Sequence, residues 1–189
     1  MSKISVIGAG SVGAAIANDL MVQGVASQIV LIDINEKKAY GEALDIYQSA
    51  PFVSPAIVSS GDYPDAADSD IVVITCGIAR KPGMSRLDLA QTNVNILKDV
   101  AKNVVPYAPK AIYIIVSNPV DILTYVFAKV SGLPEKQIIG SGTILDTSRL
   151  QSHLAKRFLI SPKNVHAYVY GEHGDTSFVP WSLANIANI

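Results

Sequence analysis

The stretch "KISVIGAGSVG", residues 3–13, decides the fold. Residues 3–8 form a short apolar run rich in β-branched side chains, which reads as a buried strand. Glycines at positions 8, 10 and 13 follow, and helical spacing runs from Ser11 to Gly24. Gly8 permits the tight turn, Gly10 lets the backbone approach a pyrophosphate, and Gly13 lets helix and strand pack closely. The helix N-terminus adds unpaired N–H groups and a partial positive charge. Asp33 lies twenty residues after Gly13, at the end of the next apolar run, "QIVLID" (28–33). A carboxylate there accepts the two ribose hydroxyls of an adenosine and repels a 2′-phosphate, which favours NAD over NADP. A glycine-rich turn that binds nothing has no need of an acid at that spacing. Lys37 and Lys38 read as a solvated helix face.

The alternation continues along the chain. Helical spacing covers 36–47, 86–105, the segment from Pro119 to Gly132, and 145–158. Apolar runs fall at 56–60, 70–76, 111–117 and 137–142. Strands apolar on both faces, each followed by a helix, predict an α/β fold, a doubly wound parallel sheet. After about Ser161 the texture changes: "NVHAYVYGEHGD" alternates like an antiparallel strand running into a turn. The expected organisation is a Rossmann NAD-binding domain over 1–143. The beginning of a second, α+β substrate domain follows over 144–189, and the chain breaks off within an apolar stretch, as an incomplete domain would.

With 15 basic and 16 acidic residues there is no global field to attract nucleic acid or a membrane surface. Hydrophobic content of 49% with 16% charged residues suits a large core and excludes disorder. Cys76 is the single cysteine, so neither an intramolecular disulfide nor a cysteine-based zinc site is expected. "MSKISVIGAG" lacks a charged leader and a long apolar core, and reads as a strand rather than a signal peptide. A cytoplasmic protein is expected. His153 and His166 have no second ligand at metal spacing, and Asp62, Asp65, Asp68 and Asp70 read as a solvated turn, so no metal site is expected. Cys76 and Trp181 read as packing residues.

Polar groups gather where the strands end, the ligand-binding edge of an open parallel sheet. Arg80, Lys81 and Arg86 crowd one loop, Asn118 sits in "SNPVD", and Asp146 and Arg149 share "LDTSR". Beyond them "GEHGD" contributes His173. Taken singly, Asp146 is equally readable as a helix-start acid, Arg149 as a wet-face residue, and His173 as a turn residue beside Asp175.

Together these motifs change the reading. "GAGSVG", "LIDIN", "RKPGMSRLDLAQTN", "VSNPVDILTY", "GSGTILDTSRL" and "GEHGDTSFVPWS" resemble the L-lactate/L-malate dehydrogenase family over essentially the whole chain. The resemblance implies reversible hydride transfer between NADH and a small 2-keto acid. It implies His173 as general acid/base, with Asp146 orienting it and favouring the imidazolium. Arg149 looks like the bidentate clamp on the substrate carboxylate, and Arg86 like the residue that polarises the reacting carbonyl. Asn118 looks like a hydrogen-bonding partner near the nicotinamide ribose and the substrate oxygen, followed by a cis bond to Pro119. Cofactor contacts are implied for Gly8, Gly10, Ser11, Val12, Gly13, Asp33, Thr75, Gly77, Asn93, Ser117 and Asn118. The family also implies a homo-oligomer, dimer or tetramer, at full length.

Two signals within that resemblance conflict. "RKPGM", with Arg80 and Met84, is malate-type, whereas Glu172, "SGTILDTSR" and "NPVDILTY" look lactate-type. An Arg80 closed over the substrate would be left unpaired by the methyl of pyruvate and satisfied by the second carboxylate of oxaloacetate. The overall resemblance is to L-lactate dehydrogenase, with malate dehydrogenase as the alternative. Two readings of other classes remain: a non-catalytic NAD-binding fragment, and an S-adenosylmethionine-binding Rossmann protein. The latter has no use for Arg86, Asp146, Arg149 and His173 together.

Overall fold

The computed structural model describes residues 2–53, 55–79, 83 and 85–187. The chain divides into two compact units, Met1–Gly140 and Ser141–Ile189.

In the first unit, strands β1 (Lys3–Ile7), β2 (Gln28–Ile32), β3 (Ile57–Gly61), β4 (Ile71–Ile74), β5 (Ile112–Ile115) and β6 (Ile138–Gly140) form one parallel sheet. Their order is β3-β2-β1-β4-β5-β6. This is the doubly wound dinucleotide-binding order, reversing direction between β1 and β4. Helices α1 (Ser11–Gln23), α2 (Glu36–Tyr47), α3 (Arg86–Val104) and α4 (Val120–Val130) cover the two faces.

The predicted elements are present, and their ends follow from local chemistry. Helix α1 stops because Gly24 adopts a left-handed φ of 64° and donates its N–H to Leu20 and Met21. The central strands are buried on both faces: Val6, Ile29, Leu31, Val72, Ile74 and Ile115 have essentially no exposure. On one face they meet Leu97, Val104, Leu123 and Phe127. Opposite, the small residues Ala17, Ala39 and Ala43 bring α1 and α2 close. Tyr113 stacks on Phe127 with ring centroids 4.9 Å apart, and its buried hydroxyl donates to Ala108 at 3.0 Å. The acids expected to form a solvated turn have structural roles. Asp62 and Asp65 make a capping box around the 3-10 turn Tyr63–Ala66, and Asp70 accepts the Lys3 N–H at 2.9 Å.

The second unit holds α5 (Ile144–Phe158), β7 (Val165–His166) and β8 (Asn185–Ile186), with Ala155, Val165 and Ala167 at its centre. The strand expected through "NVHAYVY" is interrupted. Only Val165–His166 pairs antiparallel with β8, and Tyr170 forms a separate bridge to Phe178. Between them the backbone of residues 167–169 bonds to side chains of α5 instead of to a strand. Trp181, expected to pack, is 61% exposed in a short 3-10 turn. Among the described residues, no helix is long and apolar enough to cross a membrane.

Candidate functional site

The β1–α1 turn is built by steric necessity at two of its three glycines. Gly8 has φ 106°, and a Cβ there would lie 2.8 Å from the Cys76 N and from Thr75 Oγ1. At Gly13 a Cβ would come within 1.8 Å of the Gly8 carbonyl oxygen, so α1 sits directly on the turn. Gly10 differs, because a Cβ there meets no atom of the chain within 4 Å. The protein's own packing therefore does not demand glycine at position 10, and the space it leaves opens into a cleft.

That cleft, about 820 Å³, lies at the carboxyl ends of β1, β2 and β4 and is lined by Gly8, Gly10, Asp33, Thr75 and Gly77 among others. Helix α1 enters it without a side-chain cap and with no acid in its first turn. By contrast, α2 is capped by Asn35, and α3 by a Ser85–Asp88 capping box. The first N–H groups of α1, from Ser11, Val12 and Gly13, are thus left for an anion. Asp33 is fixed by two backbone donors, Ala9 N at 2.7 Å to Oδ2 and Asn35 N at 2.8 Å to Oδ1. Each oxygen retains lone-pair capacity for further donors. These features fit a dinucleotide.

Several cleft residues escaped the sequence reading. Ile34, 98% exposed, lines it with Ile78 and Ile96 and gives apolar walls for a flat ring. An exposed isoleucine directly after the strand-end acid was the signal that could have pointed to it. Tyr63 also lines the cleft, its hydroxyl pushed up to about 12 by burial and then by nearby acidic groups. Lys38, read as a solvated helix residue, is on the cleft wall together with Glu36, Asp62 and Asp99.

Other predicted cofactor residues turn their side chains to the protein. Thr75 Oγ1 donates to the Gly8 carbonyl at 2.9 Å, holding β4 to the glycine turn. Ser117 Oγ donates to the Cys76 carbonyl at 2.5 Å. Asn93 is buried, accepting from Ile78 N at 2.9 Å and donating to the Asn118 carbonyl at 2.8 Å. Asn118 is exposed, and its Oδ1 accepts weakly from Val120 N at 3.3 Å. Its Nδ2 has no hydrogen bond among the described residues, and the bond to Pro119 is cis. Cys76 faces the same cleft, and burial pushes its thiol up to about 11, so it stays protonated at neutral pH.

In the second unit, Asp146 occupies the first turn of α5, yet its carboxylate serves neither as a cap nor as a solvated group. Its Oδ2 lies 2.5 Å from His173 Nδ1, with both side chains only about a quarter exposed. The carboxylate partner assigns a proton to Nδ1, which donates to Asp146 Oδ2. Arg149, one turn further on, has a guanidinium nitrogen 3.7 Å from Asp146 Oδ1. That separation is an ion pair but too long for a hydrogen bond, and the side chain is 63% exposed. The three residues singled out in this part of the chain therefore form one cluster. Arg86 opens α3, but its side chain falls outside the described part, and Arg80, Lys81 and Met84 lie outside the described residues altogether. His153 is exposed on α5 and His166 lies in β7. No group of metal-binding side chains exists among the described residues.

Comparison with known proteins agrees with both halves of this geometry. Residues 2–140 match the family described as lactate/malate dehydrogenase, NAD binding domain, and residues 143–189 match lactate/malate dehydrogenase, alpha/beta C-terminal domain. A curated L-lactate dehydrogenase of Clostridium botulinum is 54% identical over 188 residues. That match takes in all of this chain and 59% of the relative, so the chain spans about three-fifths of its length. A solved lactate dehydrogenase from a Medee basin deep-sea metagenome library superposes with a TM-score of 0.94 at 43% identity, covering 98% of this chain and 60% of that one. The apo malate dehydrogenase of Picrophilus torridus also gives 0.94, at 38% identity, covering 100% and 60%. With the glycine turn, the strand-end acid and the His–Asp pair all in place, the chain belongs to the lactate/malate dehydrogenase family.

Proposed function

We propose that this chain is the NAD-binding part and the opening of the substrate part of an NAD-dependent L-2-hydroxy-acid dehydrogenase of lactate type. The observation that carries the reading is the His173–Asp146 pair, with Arg149 on the same helix turn. When bound, NADH supplies the hydride that reduces the ketone carbon. Gly8, Gly10, Ser11, Val12 and Gly13 hold its pyrophosphate, and Asp33 takes the adenosine ribose hydroxyls. Ile34, Ile78 and Ile96 on the cleft wall would offer apolar surface to the adenine, and the acids Asp33, Glu36, Asp62 and Asp99 would disfavour an added 2′-phosphate. Thr75, Gly77, Asn93 and Ser117 shape the nicotinamide side of the cleft, and Asn118 supplies an amide donor near the ribose and the substrate oxygen.

As the imidazolium that Asp146 favours, His173 would give its Nε2 proton to the ketone oxygen, leaving a neutral ring with the Nδ1 proton held by Asp146, and would take the proton back in the reverse direction. Arg149 clamps the substrate carboxylate through two parallel N–H donors, and Arg86 polarises the carbonyl. At full length the enzyme is a cytoplasmic homo-oligomer. The exposed stripe Tyr40, Leu44 and Tyr47 along α2 supports the self-association, and the single cysteine suits a reducing compartment.

The cleft makes a paired prediction. Gly10→Ala keeps the fold, since its methyl meets no protein atom, but weakens NADH binding about tenfold by intruding where the pyrophosphate lies. Gly13→Ala drives a methyl into the Gly8 carbonyl and costs about 2–3 kcal/mol of stability. Fluorescence titration with NADH and urea unfolding of both variants check this. A Gly10→Ala protein that binds normally removes the assigned role.

The substrate itself turns on Arg80. The overall likeness favours pyruvate and lactate, whereas the malate-type loop favours a diacid, whose second carboxylate would satisfy the guanidinium. We expect Arg80→Gln in the full-length protein to swing the kcat/KM ratio toward pyruvate over oxaloacetate by about tenfold or more, the worth of one charge-assisted hydrogen bond. An unchanged ratio means Arg80 does not contact the substrate.

A further inference from the structure

Helix α5 carries a polar stripe at every fourth position: Thr143, Thr147 and Gln151. None of the three is used to continue or cap the helix. Thr143, at the N-cap, makes no side-chain cap bond, and its Oγ1 donates instead to the Val169 carbonyl at 2.6 Å. Thr147 Oγ1 accepts the Val169 N–H at 2.9 Å. Gln151 Nε2 donates to the Ala167 carbonyl at 3.1 Å. Three side chains thus replace the ladder that residues 167–169 would have made with a strand. Both main-chain groups of Val169 are taken, one by each threonine.

Val169 is the last residue before a tightly closed hairpin. Tyr170 and Phe178 exchange two backbone bonds of 2.9 Å. Inside it, Gly174 N donates to the Glu172 carbonyl at 2.8 Å, and Thr176 Oγ1 donates to Glu172 Oε2 at 2.8 Å. Gly171, with φ 93°, turns the chain, and a Cβ there would press to 3.2 Å on the Thr176 carbonyl. His173 sits on this hairpin, and its Nδ1 lies 2.5 Å from Asp146, the helix residue adjacent to Thr147. The hairpin is braced internally, and the two threonine bonds to Val169 tie its base to α5.

We infer that Thr147 and Thr143 are positioning residues for the His173–Asp146 pair, setting the hairpin's base so that the imidazole meets the carboxylate in one tautomer. The inference rests on the acid–base reading of His173 for its catalytic consequence, but not for its structural one. Thr147 has the larger share, since losing it strands a backbone N–H donor, whereas losing Thr143 leaves a carbonyl with fewer demands.

The test compares Thr147→Val, which keeps the shape and removes the oxygen, with Thr147→Ser, which keeps the oxygen and removes the methyl. Thr143→Val serves as a milder companion that removes only the donor to the carbonyl. All are made in the full-length protein. Two readouts are taken: steady-state kinetics with NADH and a 2-keto acid, and the ring nitrogen-15 shifts of His173, assigned by their loss in His173→Asn. Thr147→Val should lower kcat about tenfold with NADH affinity unchanged, and should shift the ring from the Nδ1–H form toward the tautomer mixture of a free imidazole. Thr147→Ser should retain the native ring signature and most of kcat, and Thr143→Val should fall between. A Thr147→Val protein with native shifts and native kcat overturns the inference. So does Thr147→Ser impaired as badly as Thr147→Val, since that pattern belongs to packing. If the wild type binds NADH but reduces no keto acid, the proposed function fails, and the nitrogen shifts alone still decide the positioning role.

Discussion

Replacing His173 with asparagine is expected to lower kcat about a thousandfold and to leave NADH affinity within about twofold of the native value. The size of the loss follows from what the side chain does. Carbonyl reduction by hydride leaves an alkoxide unless a proton arrives, and a positioned general acid contributes about a hundredfold to ten-thousandfold. Asparagine keeps the polarity and approximate size but has no titratable proton to give. The unchanged NADH affinity follows from the location of the nucleotide cleft, lined entirely by residues of the first unit. Asp146→Asn should reproduce much of the defect, because an amide at that position no longer holds the ring through a carboxylate 2.5 Å from Nδ1. Near-native turnover in His173→Asn would remove the acid–base assignment altogether.

Arg149→Lys is expected to reduce kcat/KM for the keto acid about 10–100-fold, chiefly through KM. In the present geometry the guanidinium stands 3.7 Å from Asp146, and most of its surface is open. It is anchored by charge without being spent, which leaves its planar fork for an incoming carboxylate. A lysine ammonium keeps the charge and forfeits one of the two parallel bonds. At about 1.5–3 kcal/mol for a hydrogen bond to a charged group, the loss matches that range. Unchanged KM with a lowered kcat would instead place Arg149 at the reacting carbonyl.

Much of this fold was legible in the residues, for a physical reason. Strands apolar on both faces belong to parallel sheets covered by helices, and Gly24 ends α1 where a left-handed cap is needed. The glycine spacing with Asp33 pointed to the nucleotide cleft, because Gly8 and Gly13 answer to sterics, Asp33 to charge, and Gly10 to the space a ligand needs. What remained hidden depended on pairings distant in sequence. Asn93 spends its amide on Ile78 and Asn118, 15 and 25 residues away. The interrupted strand at 167–169 is explained only by threonines 22 and 26 residues earlier. Taken singly, Asp146 reads as a helix-start acid; the family resemblance pairs it with His173, and the fold brings that histidine, 27 positions later, onto its carboxylate. Lys38 is exposed, as its helix face suggested, and its place on the cleft wall had no periodic signature to show it.

The proposed activity, for the enzyme of which this chain is part, is hydride transfer from NADH to a 2-keto acid. Its most direct test is the rate of NADH oxidation by the full-length protein, with pyruvate and then oxaloacetate as acceptor and the product's configuration determined. Turnover is expected with at least one of them, yielding the L-hydroxy acid in amounts equal to the NADH consumed. Tight NADH binding without reduction of either keto acid would contradict it and leave a nucleotide-binding module in its place.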